Sequence, residues 1–119
     1  MRLIVLESPF AGDVERNLRY ARACLRDSLS RNESPIASHL LYTQPGVLND
    51  QDEHERAHGI AAGFAWRMMA DASVFYRDLG MSRGMLFGLA HAEELRVEDP
   101  EHAIEFRELG GEWTLRVSP

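Results

Sequence analysis

Short apolar runs that end in a turn and lead into a helix recur along this chain, and that alternation restricts the fold more than any other feature. Leu3-Ile-Val-Leu6 reads as a strand, Glu7 to Gly12 as a turn, and Asp13 as the N-cap of a helix reaching about Ser30. Val14, Leu18, Ala21, Leu25 and Leu29 recur there at helical spacing and predict the buried stripe. Pro35 to Leu41 supplies a second strand, and Tyr42 to Asp50, with Pro45-Gly46, a loop able to close over a ligand. Asp52 to Met69 predicts a second long helix, with Ala57, Ile60, Ala61, Phe64 and Met68 on one face and Gly59 and Gly63 allowing close backbone approach. Ala72 to Arg77 is the third strand, and Ser82 to about Leu95 the third helix, burying Met85, Leu86, Leu89 and Ala92.

The resulting βαβαβα order predicts a Rossmann-like, doubly wound α/β fold. Its sheet is mainly parallel, it has three layers (α/β/α), and its ligand crevice lies beyond the carboxyl ends of the strands. After a linker from Val97 to His102, Ile104/Phe106 and Trp113/Leu115/Val117 alternate around Gly110-Gly111 and predict a short C-terminal strand pair. A chain of 119 residues suits one domain, 1–119, with a core at about 2–95 and the strand extension at about 103–118.

Composition narrows the chemistry. All 13 basic residues are arginine, so neither Schiff-base catalysis nor a Walker-type phosphate loop can be built. The formal charge of −6 argues against general nucleic-acid binding, and Arg16, Arg19, Arg22 and Arg26 read as a solvated helix face. Cys24 stands alone, which fits a reducing compartment, and no apolar run approaches the roughly 20 residues needed to span a bilayer. A cytoplasmic protein without membrane attachment is expected.

The third strand-turn-helix corner is an anion site by its backbone alone, because N–H groups at a helix N-terminus point outward unsatisfied. Ser82, Arg83 and Gly84 add a hydroxyl, a guanidinium and room for close approach, and Met85 follows. The first corner, Ser8-Pro9-Phe10 to Gly12, opens onto the same crevice, to which Phe10 and Tyr42 bring aromatic rings. His54-Glu-Arg-Ala-His58 matches the H-E-x-x-H zinc signature, but Ala61 and Phe64 stand where a metzincin continues with glycine and histidine. A third ligand would have to come from a distant carboxylate such as Asp78. No metal and no cofactor are expected.

Leu6-Glu-Ser-Pro-Phe10, His39-Leu40 and the Asp71…Ser82-x-Gly84-Met85 block together resemble the nucleoside 2-deoxyribosyltransferase-like superfamily. The likeness includes its nucleotide N-glycosidase branch and small members encoded by phages and prophages, and it spans about residues 2–95. It implies a nucleotide-like ligand held by Ser8, Pro9, Phe10, Gly12, His39, Tyr42, Asp71, Ser82, Arg83, Gly84 and Met85. It also implies a homodimer or larger homo-oligomer whose pocket is completed across subunits, with Gly59 and Gly63 marking the contact.

The chain departs from the superfamily where its enzymes carry a glutamate on the third helix, because that position is Gly88. Glycine can neither attack the sugar nor stabilise its charge. One reading is therefore a binding protein for a nucleotide or ADP-ribose derivative, for instance one that sequesters a nucleotide signal. The other is an active N-glycosidase or deoxyribosyltransferase using a relocated carboxylate. Glu7 is the first candidate, ahead of Glu55 and Asp78, and its alternative roles are as partner to a ribose hydroxyl or to an arginine.

Overall fold

A computed structural model describes residues 1–111 and Trp113. Four strands, β1 (Arg2–Glu7), β2 (Glu33–Ile36), β3 (Ala72–Tyr76) and β4 (Ala103–Arg107), form one sheet in the order β2-β1-β3-β4. Every pair is parallel, with Arg2 opposite Glu33, Ile4 opposite Ala72 and Ala72 opposite Ala103. Parallel neighbours need crossover helices, and these are α1 (Val14–Ser30), the short α2 (Ser38–Leu41) followed by α3 (Glu53–Arg67), and α4 (Arg83–Glu98). The chain runs outward from β1 to β2, then crosses back to β3, so α1 covers one face and α3 and α4 the other. This is the doubly wound, three-layer arrangement that the alternation predicts. Its topological switch lies between β1 and β3. Among the described residues no helix is long and apolar enough to cross a membrane.

Ile4, Leu6, Val74 and Tyr76 face α1, where Tyr20, Ala23 and Cys24 complete the core. The buried side of α1 is rotated from the expected stripe. Val14 is 39% and Leu29 59% exposed, whereas Asn17, Tyr20, Cys24 and Ser28 are buried. Polar partners explain the choice. Asn17 Nδ2 donates to the Phe10 and Ala11 carbonyls at 2.9 and 3.1 Å, Tyr20 donates its hydroxyl to Asp78, and Ser28 donates to Glu33 at 2.8 Å. Two arginines and two glutamates from three strands, Arg2, Glu33, Glu105 and Arg107, form an ion network on this face. Arg107 foremost, then Arg2 and Ser28, hold the Glu33 carboxyl down to about 2 despite its burial.

Three further expectations are corrected. The second strand ends at Ile36, and Ala37 starts a helical turn in which Leu40 and Leu41 both donate to the Ala37 carbonyl; Leu40 then meets the core while Leu41 stays 48% exposed. In α3 the inward positions are Gly63 and Arg67, and the apolar Ile60 and Met68 are 37% and 61% exposed. In α4, Leu86 is 52% exposed, with Met85, Gly88 and Ala92 inside.

Ile104 and Phe106 belong to a strand, but it extends the main sheet as β4. Trp113 stands in a helical turn closed by its N–H on the Gly110 carbonyl at 3.2 Å, and it packs edge-on against Tyr20. Leu115 and Val117 of the expected strand pair lie outside the described residues. Asp78 anchors this tail by accepting from the Leu109 and Gly110 N–H groups at 2.9 and 2.8 Å. Burial works against its charge, but Tyr20 and those two donors hold the Asp78 carboxyl below its ordinary value.

Candidate functional site

A crevice enclosing about 170 Å³ opens at the carboxyl end of β1, on the α3/α4 side of the sheet. Its floor is Glu7, Ser8 and Phe10 from the first corner, its walls come from α2, the Tyr42-to-Asp50 loop and α3, and its far side is the start of α4. Two corners some 70 residues apart in sequence therefore share one cavity. Nine of the expected residues line it, namely Glu7, Ser8, Phe10, His39, Tyr42, Ser82, Arg83, Gly84 and Met85.

Three do not. Pro9 is buried beneath the turn, and Gly12 is exposed with a φ of 100°, the left-handed conformation that lets the turn enter α1. Asp71 sits at the amino end of β3, where its Oδ2 accepts from the Leu3 N–H at 2.8 Å, so its role is to fasten β1 to β3.

Glu7 is the last residue of β1 and alternates onto the α3/α4 face. Its Oε2 accepts from Arg67 Nη2 in a buried ion pair, the Arg67 side chain being 2% and the Glu7 side chain 14% exposed. The other two Arg67 nitrogens are also engaged, with Nη1 on Ser73 Oγ at 2.6 Å and Nε on His91 Nδ1 at 3.1 Å. Because Arg67 only donates, Ser73 accepts there and gives its proton to His102 Nε2 at 2.7 Å. His102 Nδ1 in turn donates to the Ala70 carbonyl at 3.0 Å. His91 lies flat on Phe64, ring centroids 3.9 Å apart, and burial first and then Arg67 push its pKa down. Arg67 is thus fixed from three sides and cannot follow Glu7 if the carboxylate moves. Burial pushes the Glu7 carboxyl above its ordinary value, with Arg67 opposing.

Gly88 explains how the carboxylate fits. A Cβ at Gly88 would collide with the Glu7 carboxylate, whose Cδ lies 2.8 Å from that point, with Arg67 Nη2 at 3.1 Å. The group from β1 fills the space a side chain on α4 would occupy. Gly63 is a similar device inside the chain, since its Cβ would stand 2.5 Å from Ser38 Oγ, and Gly59 faces Leu48. The structure accounts for both α3 glycines by packing against α2 and the following loop.

Ser8 Oγ is hydrogen-bonded to His39 Nε2 at 2.7 Å, a partner delivered by α2. Burial brings the His39 pKa down to about 4, so the pair is neutral at pH 7. At the far side, Ser82 caps α4 by accepting from the Met85 N–H at 3.2 Å. Among the described residues its own proton has no acceptor and can be donated, and the Arg83 and Gly84 N–H groups open the helix. Arg83 is exposed, its guanidinium 5.8 Å from the Phe87 ring. Tyr42 accepts from Trp66 Nε1 at 2.7 Å, which holds its ring at the rim. Glu55 also lines the crevice and accepts from the Asn49 N–H at 3.2 Å.

His54 and His58 are exposed on the first turns of α3, and among the described residues no three histidine, cysteine or acidic side chains could hold a metal ion. Sequence reasoning missed Arg67, Ser73, His91 and His102. The only signal was an arginine placed in phase with Gly59 and Gly63 on α3. Comparison with curated proteins and with solved structures gives no match. A family model described as a domain of unknown function, DUF7768, matches residues 2–99, a span that holds every residue of the crevice, and the chain belongs to that family.

Proposed function

We propose that this domain binds a nucleoside-phosphate-type ligand, a nucleotide or an ADP-ribose derivative, with its phosphate at the start of α4 and its sugar over Glu7. The observation that carries the reading is the meeting of two strand-turn-helix corners in one cavity at the sheet's switch point. The open N–H groups of α4, the Ser82 proton and Arg83 favour an anion. Phe10, Tyr42 and Phe87 offer faces for a base. The resemblance to the deoxyribosyltransferase-like superfamily points to the same ligand class. The test is calorimetry with a nucleotide and its nucleoside. Ser82→Ala is expected to weaken the nucleotide about tenfold or more and the nucleoside far less; equal losses would remove the phosphate from that corner.

A cleavage reading is favoured by one observation, the carboxylate of Glu7 in the space over Gly88. It makes Glu7 a relocated catalytic group, and release of free base from a bound nucleotide, abolished in Glu7→Gln, is its measurement. The Arg67 ion pair weighs toward binding, because a carboxylate sharing its charge with a buried guanidinium is a poorer nucleophile. A second copy of the chain completes the site. The cavity is smaller than the roughly 300 Å³ at the lower end of small-molecule sites, and Ile60 and Phe87, 37% and 50% exposed, carry its mouth into the apolar outer face of α3 and α4.

A further inference from the structure

We infer that Glu7 makes the site selective for ribose over 2-deoxyribose, an inference that rests on the nucleoside-phosphate reading and adds the class of sugar. Glu7 Oε2 is occupied by Arg67, but among the described residues no donor is paired with Oε1. That oxygen belongs to a carboxylate only 14% exposed, at the floor of a crevice walled by Phe10, Ile60, Phe64 and Met85. It is open to the crevice, so a ligand that displaces water from it must donate a hydrogen bond or leave a desolvated acceptor unsatisfied.

The donor required is a neutral one. Arg67 already balances the Glu7 charge and is held in place by Ser73 and His91, so the pair has no net charge to attract a cation. A phosphate oxygen, an acceptor facing an acceptor, is turned away to the α4 end. What remains on a nucleotide is the sugar, whose vicinal hydroxyls can both donate to the lone pairs of the one open oxygen, Oε1. Removing the 2-hydroxyl deletes one of these donors. Gly88 is what allows this, because any side chain there would displace the carboxylate. Sites built to hydrogen-bond a hydroxyl discriminate strongly against the analogue that lacks it.

The experiment is calorimetry on the full chain. The probes are the four ribonucleoside 5′-monophosphates, their 2′-deoxy and 2′-fluoro-2′-deoxy counterparts, and ribose 5-phosphate against 2-deoxyribose 5-phosphate. Ribose compounds are expected to bind about ten- to a hundredfold more tightly than their deoxy partners. The 2′-fluoro compounds, which keep an acceptor but lack the proton, are expected to bind like the deoxy series. In Glu7→Gln the gap should shrink to about threefold or less, because a neutral acceptor replaces a charged one. Equal affinity for ribose and deoxyribose compounds, or 2′-fluoro binding as tight as ribose, overturns the inference and leaves nucleotide binding standing. A gap that survives undiminished in folded Glu7→Gln assigns sugar reading elsewhere and also overturns it. Failure of every compound to bind overturns both readings.

Discussion

Replacing Gly88 with alanine tests whether the Glu7 carboxylate owns the space above α4. In an unobstructed helix interior the change gains about 1 kcal/mol through helix propensity. Here the new Cβ would meet Glu7 Cδ at 2.8 Å and Arg67 Nη2 at 3.1 Å, distances that something must relieve. The carboxylate is the free end of a flexible side chain with the crevice beside it, so it swings rather than forcing the backbone apart. Arg67 cannot follow, because Ser73 and His91 hold its other nitrogens. The ion pair is therefore stretched while both groups stay largely desolvated. Overpacking of this kind costs about 1–3 kcal/mol, which offsets the helix gain and leaves a net loss of up to about 2 kcal/mol. Urea denaturation measures it, in a double-mutant cycle with Glu7→Ala. Without the carboxylate the main clash disappears and the Arg67 Nη2 end, released from Glu7, has room to give, so Gly88→Ala is expected to be neutral or stabilising in that background, giving a coupling of about 1–3 kcal/mol. Additive effects, with Gly88→Ala stabilising equally in both backgrounds, would refute the argument.

Three other outcomes are expected. Arg67→Leu strands Glu7 in a desolvated site and should cost about 3–5 kcal/mol. Because the folded pKa of Glu7 then rises further above its unfolded value, this penalty is complete at neutral pH and relieved as pH falls below the folded pKa, so the variant should gain stability on mild acidification. For Glu33 the sign is opposite. Its carboxyl is lowered from 4.5 to about 2, so its stabilising contribution, on the order of 3 kcal/mol, is full above 4.5 and lost as pH falls toward 2. Glu33→Gln should flatten the acid-unfolding curve in that window, and an unchanged slope would count against the ion network. In sedimentation at micromolar concentration the chain is expected as a dimer or larger closed oligomer, with Phe87→Glu shifting it toward the 13.5 kDa monomer; a monomer at every concentration would contradict the partner-completed site.

Much of the fold was legible because each parallel strand had to be followed by a crossover helix, and strand-turn-helix alternation survives in the sequence as changes of hydrophobic period. Both corners of the crevice were readable for the same reason. Helix faces were less so. On α1, Asn17 and Ser28 are inside because the Phe10 and Ala11 carbonyls and Glu33 need them, demands invisible in an apolar count. On α3, periodicity favoured Ile60 and Met68, but the inner face belongs to Gly63 and Arg67, a cation made tolerable by Glu7 across 60 residues. Asp71 shows the reverse error, since its position before β3 was evident while its direction, toward the Leu3 N–H at the amino end, depended on the neighbouring strand. Long-range polar pairing carries no period, and the heart of this site is made of it.

The most direct test of the account is a crystal structure of the protein soaked with the tightest-binding ribonucleotide from the calorimetric series. An intact nucleotide is expected, with its phosphate on the Arg83 and Gly84 N–H groups and the Ser82 hydroxyl, and its sugar hydroxyls on Glu7. A nucleotide seated outside the crevice, or one inside it with its phosphate away from the start of α4, would contradict the account.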